Sequence, residues 1–487
     1  MVIRAFFGRA EFGYGNHARR FPQKALSRAE GIYNACHSDE EKDADYCSSH
    51  TLARRMLDGS SPYEHGVTYN EIAKIGAALY CATGNEAYLK PAVNAYEKID
   101  RYHMLPDGLH SCNEYFRGKK PRETHETCDI SDYTLSLCYL LKATGDGAYA
   151  DRTEQCIYNA GIGSVTEDFK ALQYFSGLNQ IVADDFSNHN IYKRGSGWMA
   201  YRPGHETQCC AGNVNRFFPN FVAKTFMLSG DTIFAVFYND GLITCDTGGK
   251  TIKIRQKTDY PFSDSVTFIF ESNADKILNF AMRIPGWCKT PSAEYNGKPL
   301  EVKTKKGFFT VGAKFVKGDV IKLKLPSLPE VVPYGKNGVF VRKGPLLYAC
   351  GCRGERIPTS LGGRFSDDFP AYKMYADKEW NYGVSPSEAD PRFVFSEKAG
   401  YPWDIKNCPA AIEITARKIP EWKIEEKHKV LSFDSEDGKH RSVLKGRFSF
   451  TPDLTKGNFK TSDPERILLF PFGVCKMRIS IFPKINL

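Results

Sequence analysis

Residues 82–88 read ATGNEAY, and residues 143–149 read ATGDGAY, so nearly the same seven-residue stretch recurs after 61 residues. In each copy a helical pattern ends at a glycine, the chain turns at Asn or Asp, and a second helix begins. These features predict an antiparallel helical hairpin, with chance similarity between two helix ends as the alternative. Because one hairpin cannot cover its own apolar face, repeated hairpins favour a helical toroid or barrel.

Outward from these turns, apolar residues keep helical spacing from about residue 26 to residue 228, which predicts an all-helical first half. Beyond this point the period changes to two, as in Ser265–Phe270, and predicts strands. Asn296-Gly297 is a hairpin-turn signal between two such strands. Three domains are therefore predicted: a helical barrel domain at 1–228, a β-sandwich at 229–355 and a second β-rich domain at 356–487.

The charge and apolar patterns argue against two kinds of partner. Lys and Arg number 66 against 57 Asp and Glu, a net charge of +9, but the basic residues are scattered and form no nucleic-acid patch. No apolar run approaches the about 18 residues of a membrane span, and the first residues do not form a secretory signal. Fifteen cysteines cannot all pair within one chain, and their irregular spacing favours a reducing, cytoplasmic compartment.

Four side chains offer soft and hard donors for one metal ion. Cys209 and Cys210 are adjacent, just before a helix predicted at 216–228, and Glu126 and Cys128 lie far upstream. Three thiolates and one carboxylate are the number and kind of ligands that close a tetrahedral zinc shell, in which the thiols are deprotonated at neutral pH. A purely structural zinc site and buried cysteines without metal are the alternatives.

A second carboxylate, Glu114, stands twelve residues before Glu126 in a polar loop segment. A retaining glycosidase needs a nucleophile on one face of the sugar and a carboxylic acid that protonates the leaving oxygen and then activates water. A cysteine thiolate could replace the usual nucleophilic carboxylate, with zinc moderating the basicity of the sulfur. By residue type alone, a surface carboxylate is the alternative reading of Glu114.

Five stretches of the chain form an ordered set of motifs. They are residues 125–133 (HETCDISDY), 209–213 (CCAGN), 283–287 (RIPGW), 344–348 (GPLLY) and 471–478 (PFGVCKMR). Together they resemble glycoside hydrolase family 127, the β-L-arabinofuranosidase family, over roughly residues 60–487.

The resemblance implies an (α/α)6-type barrel that holds the active site, followed by β-sandwich domains. It also implies zinc as the cofactor, bound by Glu126, Cys128, Cys209 and Cys210. Cys209 is then the nucleophile and Glu114 the acid/base. The implied substrate is a carbohydrate, an arabinose-containing glycan of plant type that loses terminal L-arabinofuranose.

Two further residues match the sugar pocket of the family. His65, in EHGV at 64–67, matches a histidine that touches the sugar, whereas a lone histidine before a helix is more often a cap or a packed ring. Tyr174, in QYFS at 173–176, resembles a pocket tyrosine near the nucleophile, whereas an isolated aromatic residue usually belongs to the core. Trp198 could stack on a sugar or pack structurally.

The number of hairpins departs from the family pattern. Six hairpins of this length would need roughly 350 residues, but only 228 precede the strands, which leaves room for about four. We therefore expect a barrel that is incomplete and shortened at its N-terminal side. This expectation motivates a second hypothesis, a non-catalytic carbohydrate-binding or structural protein with a structural zinc site. A toroid lyase or epimerase is the third hypothesis.

Overall fold

The structure is a computed structural model that describes residues 2–4, 23–36, 53–184, 186–187, 197–205, 207–247, 251–360, 365–434, 441–454 and 460–486. Much of the N-terminal stretch, where the shortening of the barrel is expected, lies outside these ranges. The chain forms two compact units. The first unit comprises Met1–Ile99, Asp132–Glu154 and Phe217–Ser327, and the second comprises Asp100–Ser131, Gln155–Arg216 and Leu328–Leu487.

Among the described residues, the α-helices lie in the N-terminal half of the chain. They are α1 (Gln23–Cys36), α2 (Ala53–Leu57), α3 (Gly66–Thr83), α4 (Glu86–Tyr102), α5 (Thr127–Thr144), α6 (Ala148–Cys156) and α7 (Cys209–Ala223). A π-helical turn at Ile157–Gly161 extends α6, and a 3-10 turn lies at Phe472–Val474. Within the described ranges, none of these helices has the length and apolar composition that a membrane crossing requires.

Most strands follow the last helix. They are β1 (Val2–Arg4), β2 (Cys112–Asn113), β3 (Tyr115–Phe116), β4 (Thr124–Glu126), β5 (Phe175–Gly177), β6 (Asn179–Gln180), β7 (Val182–Ala183), β8 (Phe226–Ser229), β9 (Thr232–Ala235), β10 (Gly241–Asp246), β11 (Thr251–Lys257), β12 (Ser265–Phe270), β13 (Leu278–Arg283), β14 (Ser292–Tyr295), β15 (Lys298–Leu300), β16 (Thr304–Lys305), β17 (Phe308–Ala313), β18 (Val320–Lys324), β19 (Glu330–Tyr334), β20 (Gly338–Lys343), β21 (Leu346–Cys352), β22 (Glu355–Pro358), β23 (Tyr372–Tyr375), β24 (Tyr382–Gly383), β25 (Arg392–Phe395), β26 (Ala410–Lys418), β27 (Glu425–Asp434), β28 (Arg441–Phe450), β29 (Glu465–Pro471), β30 (Met477–Ile479) and β31 (Phe482–Pro483).

Both copies of the repeated stretch form the same turn between helices. Gly84 and Gly145 adopt left-handed backbone angles, with φ of 73° and 68°, and each donates its N–H over 2.8 Å to a carbonyl of the preceding helix. The side chains of Asn85 and Asp146 then accept hydrogen bonds of 3.0 Å from the N–H groups two residues later. Glycine is needed because L side chains adopt a positive φ only at a cost. The predicted helical hairpin is therefore confirmed at both places.

The prediction of an all-helical first half is wrong in detail. Six short strands, β2 to β7, interrupt the helices between Cys112 and Ala183. Each has only two or three residues, so a period-two pattern could not be detected in them. The last helix is also misplaced in the prediction at 216–228, because α7 begins at Cys209 and ends at Ala223. The coarse order of a helical part followed by many strands is confirmed.

In the first unit, two sheets are built from strands that follow α7, joined at one edge by β1 from the start of the chain. One has the strand order β1-β10-β11-β12-β18-β14-β15, and the other β16-β17-β13-β9-β8. Phe280 of the second sheet contacts Phe268 of the first, with ring centroids 4.9 Å apart. Asn296 and Gly297, with φ of 51° and 76°, form the two-residue turn between β14 and β15, so the predicted hairpin is confirmed.

A buried ion network joins helix α6 to strand β13 within the first unit. The guanidinium of Arg283 donates to Glu154 over 2.5 Å and also to Asp151, and Glu154 accepts a 2.6 Å hydrogen bond from the hydroxyl of Tyr260. Arg283 and Glu154 are both fully buried. Burial raises the pKa of Glu154 to about 7, while the adjacent guanidinium favours its charged form. The two charges satisfy each other in the core.

In the second unit, a ten-stranded sheet is built around the path β19-β20-β21-β29-β26-β24. Strand β30 pairs with β21 on one side and with β6 on the other, so the end of the chain pairs with a segment of the N-terminal half. A core of buried side chains packs beside this junction: Leu105, Leu178, Leu347, Phe472 and Ile481. Strands β4 and β5 form a separate pair in which Glu126 lies opposite Phe175.

Candidate active site

The junction between β4 and α5 places Glu126 and Cys128 side by side. Glu126 ends the strand, and Cys128 lies in the first turn of the helix. Thr127, between them, donates its backbone N–H to the carbonyl of Tyr174 over 3.0 Å and its hydroxyl to the carbonyl of Gln173 over 2.7 Å. The segment that precedes β5 therefore fixes the backbone between the two predicted ligands.

Cys209 and Cys210 are the first two residues of α7, and they meet Glu126 and Cys128 at one point. Sγ of Cys128 lies 3.2 Å from Sγ of Cys210, and Oε1 of Glu126 lies 3.7 Å from the Cys210 sulfur and 4.0 Å from the Cys209 sulfur. One ligand atom from each of the four residues lies within 4.8 Å of all the others. The structure thus brings the four predicted ligands together within the second unit.

The chemistry of this cluster fits a metal cation. Glu126, Cys128 and Cys210 are almost fully buried, and Oε2 of Glu126 has no hydrogen-bond partner within the described part of the chain. Burial raises the pKa of Glu126 well above its usual range, and the nearby carboxylate of Glu114 acts in the same direction. A divalent ion at this point would compensate the charge of the buried carboxylate and of the thiolates. Three sulfur donors and one oxygen donor form a ligand set that suits Zn²⁺.

Cys209 differs from the other two cysteines of the cluster because its side chain reaches solvent. Hydrogen bonds from Cys128 and Cys210 lower the pKa of Cys209 to about 2, with a further contribution from the hydroxyl of Tyr174. Its position at the start of α7 adds the favourable end of the helix dipole. The exposed sulfur of the cluster is therefore also the one that the surroundings hold as a thiolate.

Glu114 approaches the same sulfur from the turn between β2 and β3. Its backbone is left-handed, with φ of 77°. The hydroxyl of Tyr174 donates to Oε1 of Glu114 over 2.8 Å and lies 3.5 Å from Sγ of Cys209. Because both atoms contact the same hydroxyl, the carboxylate oxygen and the sulfur are at most 6.3 Å apart, compatible with the ~5–5.5 Å separation of a retaining pair.

Tyr174 is buried in an aromatic environment that holds its ring. The ring centroid of Trp198 lies 4.2 Å from that of Tyr174, and the imidazole of His205 meets the same ring edge-on at 5.9 Å. Trp198 is itself buried and receives the backbone N–H of Tyr174 on its carbonyl, so its visible role is packing. Burial lowers the pKa of His205 to about 3, which keeps the imidazole neutral.

His65 lies in the first unit, where it caps helix α3. Its Nδ1 accepts the backbone N–H of Thr68 over 3.2 Å, a side-chain N-cap. The capping alternative raised from the sequence is therefore seen, and a contact of His65 with sugar stays a prediction.

The sequence did not predict the residues that contact and position the cluster without being proposed ligands. No role was predicted for Thr127, Gln173 or His205, although Thr127 lies in HETCDISDY, Gln173 lies in QYFS, and all three lie within four residues of a predicted site residue. That proximity is the signal that could have suggested a supporting role.

Two family models match the chain. The catalytic domain of GH127 β-L-arabinofuranosidases matches residues 58–223, and the GH127 middle domain matches residues 232–327. Together the two matches include more than half of the 487 residues. The chain belongs to glycoside hydrolase family 127. The family resemblance carried by the five sequence motifs is thereby confirmed.

Solved structures resemble the GH127 chain over nearly its whole length. A glycoside hydrolase is similar with a TM-score of 0.68 and 19% identity, covering 95% of this chain and 72% of that one. A GH127 β-arabinofuranosidase is similar with a TM-score of 0.67 and 16% identity, and the match covers 98% of this chain and 71% of that one. A GH127 β-L-arabinofuranosidase from Geobacillus stearothermophilus T6 is similar with a TM-score of 0.63 and 18% identity, and the match covers 93% of this chain and 65% of that one. At these identities the likeness concerns the fold alone. No curated protein shows significant similarity to the chain.

Membership of GH127 also confirms the predicted class of enzyme. The matched family is that of β-L-arabinofuranosidases, so the chain is a glycoside hydrolase of this family. The family matches and the buried cluster of one glutamate and three cysteines come from independent observations. The catalytic-domain match at residues 58–223 includes the four residues of the cluster, which lie in the second unit together with Glu114 and Tyr174.

Proposed function

We propose that this protein is a zinc-dependent retaining glycoside hydrolase that releases terminal L-arabinofuranose, or a closely related sugar, from plant-type glycans. One observation carries the proposal. The hydroxyl of Tyr174 contacts both the carboxyl group of Glu114 and the sulfur of Cys209. A retaining mechanism needs an acid and a nucleophile in this relationship.

The proposed metal ligands are Glu126, Cys128, Cys209 and Cys210. When bound, Zn²⁺ would keep the thiols deprotonated at neutral pH and lower the basicity of the Cys209 sulfur. Two observations support this assignment: the four ligand atoms converge, and Oε2 of Glu126 has no hydrogen-bond partner among the residues that the structure describes.

The proposed first step is attack on the sugar. Sγ of Cys209 forms a bond to the anomeric carbon while the bond from that carbon to the leaving oxygen breaks. Glu114 gives its proton to the leaving oxygen, so the aglycone departs as a neutral alcohol. The hydroxyl of Tyr174 orients the carboxyl group and the sulfur toward each other.

The second step restores the enzyme. Glu114, now a carboxylate, takes a proton from water, and the resulting nucleophile attacks the anomeric carbon as the carbon–sulfur bond breaks. The electron pair returns to Cys209. Two inversions leave the anomeric configuration of the sugar unchanged.

The finer architecture belongs to the same proposal. We place an (α/α)6-type helical barrel at 1–228, followed by a β-sandwich at 229–355 and a second β-rich domain at 356–487. The two repeated helical hairpins support the barrel, and the phenylalanine contact between the two sheets of the first unit supports the sandwich. Tyr174 is proposed to line the sugar subsite, and the contact of His65 with sugar remains a proposal that rests on the family resemblance.

The stereochemistry of the first-formed sugar tests the mechanism. An aryl β-L-arabinofuranoside is hydrolysed in the NMR tube, and the anomeric signals are followed before mutarotation. A β-configured first product is expected, together with a mass increase of one sugar on the peptide that contains Cys209 after acid quench. An inverted product would overturn the mechanism. Bound zinc without any turnover of arabinofuranosides or related glycosides would favour the non-catalytic carbohydrate-binding alternative.

A further inference from the structure

The motif PFGVCKMR at residues 471–478 has no role in the proposed chemistry, yet it is almost completely buried. Its last part forms strand β30, which pairs with the two-residue strand β6 in the register Arg478 to Gln180 and Ile479 to Asn179. Strand β6 follows β5 after one residue, and β5 pairs with the strand that ends at Glu126. The end of the chain therefore lies two strands away from a proposed metal ligand.

Arg478 binds the backbone of this region with its buried guanidinium. Nε donates to the carbonyl of Gly177 over 3.0 Å, and Nη1 donates to the carbonyls of Cys475 and Gly163 over 2.9 Å and 3.3 Å. Gly177 ends strand β5 and lies opposite Thr124 of β4. A buried guanidinium is costly to desolvate, so its position is strongly determined by these three carbonyl oxygens.

Gln180 provides a second connection. Its side-chain nitrogen donates to the carbonyl of Lys476 over 2.8 Å and to Oε1 of Gln173 over 3.0 Å. Its side-chain oxygen accepts the N–H of Gly177 over 3.0 Å. Gln180 is fully buried, and the amide bridges the end of the chain to the residue that precedes Tyr174.

The path continues from Gln173 to the site. The carbonyl of Gln173 accepts the hydroxyl of Thr127, and the carbonyl of Tyr174 accepts the N–H of Thr127. Thr127 separates Glu126 from Cys128, so a displacement of residues 173–174 changes the spacing of these two donors. Removing a group that contacts and orients metal ligands typically weakens metal affinity by about 10- to 100-fold.

We propose that Gln180 and Arg478 are positioning residues, through which the C-terminal segment 476–481 holds Tyr174 and the Glu126–Cys128 junction in the geometry that binds the metal. This inference rests on the proposed zinc site. It gives the closing motif of the chain a function that does not involve contact with substrate.

The test compares two buried amides of the second unit. Gln180→Met keeps the approximate shape of the side chain and removes its hydrogen bonds. Asn159→Leu is the matched control, because Asn159 is equally buried and bonds Gln155, Pro345 and Leu347 rather than the segment that carries Tyr174. Both substitutions are expected to lower the midpoint of thermal unfolding.

The deciding measurement is metal affinity, obtained by competition with a chromogenic chelator, together with the thiolate-to-metal absorption of the Co²⁺-loaded protein. Gln180→Met should weaken zinc binding about 10- to 100-fold and change the Co²⁺ spectrum at saturation. Asn159→Leu should leave both unchanged. Wild-type zinc affinity and an unchanged spectrum in folded Gln180→Met would overturn the inference, whereas a wild-type protein that binds no zinc would overturn the proposed site itself.

Arg478→Lys provides the second variant, since it retains the positive charge but reaches fewer of the three carbonyls. It should weaken zinc binding in the same direction. If Gln180→Met and Arg478→Lys both fail to fold while Asn159→Leu folds, the two residues have a structural role only, and the proposal is wrong.

Discussion

The hydroxyl of Tyr174 donates a 2.8 Å hydrogen bond to the carboxylate of Glu114. The same oxygen lies 3.5 Å from the sulfur of Cys209. The three side chains come from the β2–β3 turn, the segment before β5 and the start of α7. One phenol thus connects three separate parts of the sequence.

Tyr174→Phe should lower kcat by about 10- to 100-fold, because a hydrogen bond to a charged group contributes about 1.5–3 kcal/mol. The ring and its contact with Trp198 would remain. Steady-state hydrolysis of an aryl β-L-arabinofuranoside measures the effect. Tyr334→Phe, which loses a 2.8 Å hydrogen bond to the carbonyl of Lys119, should keep the wild-type kcat. An unchanged kcat in Tyr174→Phe would contradict a role for this hydroxyl.

Replacing the proposed nucleophile should nearly abolish turnover. Cys209→Ser is expected to reduce kcat by at least about 10³-fold, since an alcohol at neutral pH is a far weaker nucleophile than a thiolate. Cys81→Ser, at a half-buried free thiol of the first unit, is the control and should leave the rate unchanged. Full hydrolysis by Cys209→Ser would refute the assignment.

The decrease in the rate of glycoside cleavage caused by Glu114→Gln should depend on the leaving group. Without a proton donor, alkyl arabinofuranosides should be cleaved at least about 10²-fold more slowly, whereas an aryl glycoside with an acidic phenol should lose much less in its first step. Pre-steady-state phenol release would then show a burst, because water attack also lacks its base. An equal loss for both substrates would argue against Glu114 as the acid.

The purified protein is expected to contain one zinc ion per chain. Removing it with a chelator should lower the free energy of unfolding by about 4 kcal/mol where free zinc had exceeded its Kd about a thousandfold. Elemental analysis and thermal unfolding measure this. Cys128→Ser should lose the metal, while Cys408→Ser, at a buried thiol outside the cluster, should retain it. Metal content that survives Cys128→Ser would exclude the proposed ligand set.

The buried ion network of the first unit predicts a stability effect without a direct change in the site. Glu154→Gln removes one charged partner of the fully buried Arg283. It should lower the free energy of unfolding by about 3–5 kcal/mol. Glu330→Gln breaks an exposed ion pair with Arg342 and should cost less than about 1 kcal/mol. Urea unfolding of the two variants gives the comparison. Similar losses would show that burial of the first pair does not matter.

Local chemistry explains which parts of the fold could be predicted. The turns at Gly84 and Gly145 were predictable because a glycine, an Asx residue and two helical patterns all lie within a few residues of one another. The turn at Asn296 and Gly297 was predictable because an Asx residue followed by glycine between two strand patterns favours a two-residue hairpin turn. The short strands β2 to β7 were not, because each has only two or three residues, and some of them, such as β6 with β30, pair with partners far away in the chain.

The candidate site divides in a similar way. The motifs around Glu126 and Cys209 indicate donor chemistry, and the family resemblance joined them. The side-chain amide of Gln180 links positions 303 residues apart, because it donates to the backbone carbonyl of Lys476 and to the side-chain oxygen of Gln173. Every residue carries the same backbone carbonyl acceptor, so no sequence motif predicts such a connection.

The left-handed backbone of Glu114 has a consequence for protein engineering. A non-glycine residue at φ of 77° carries conformational strain of about 1 kcal/mol or more. Glu114→Gly would relieve it while removing the proposed acid, so the variant should tolerate heat better and turn over less. A library screened for thermal robustness alone would drift toward glycine at this position and accumulate well-folded, inactive clones.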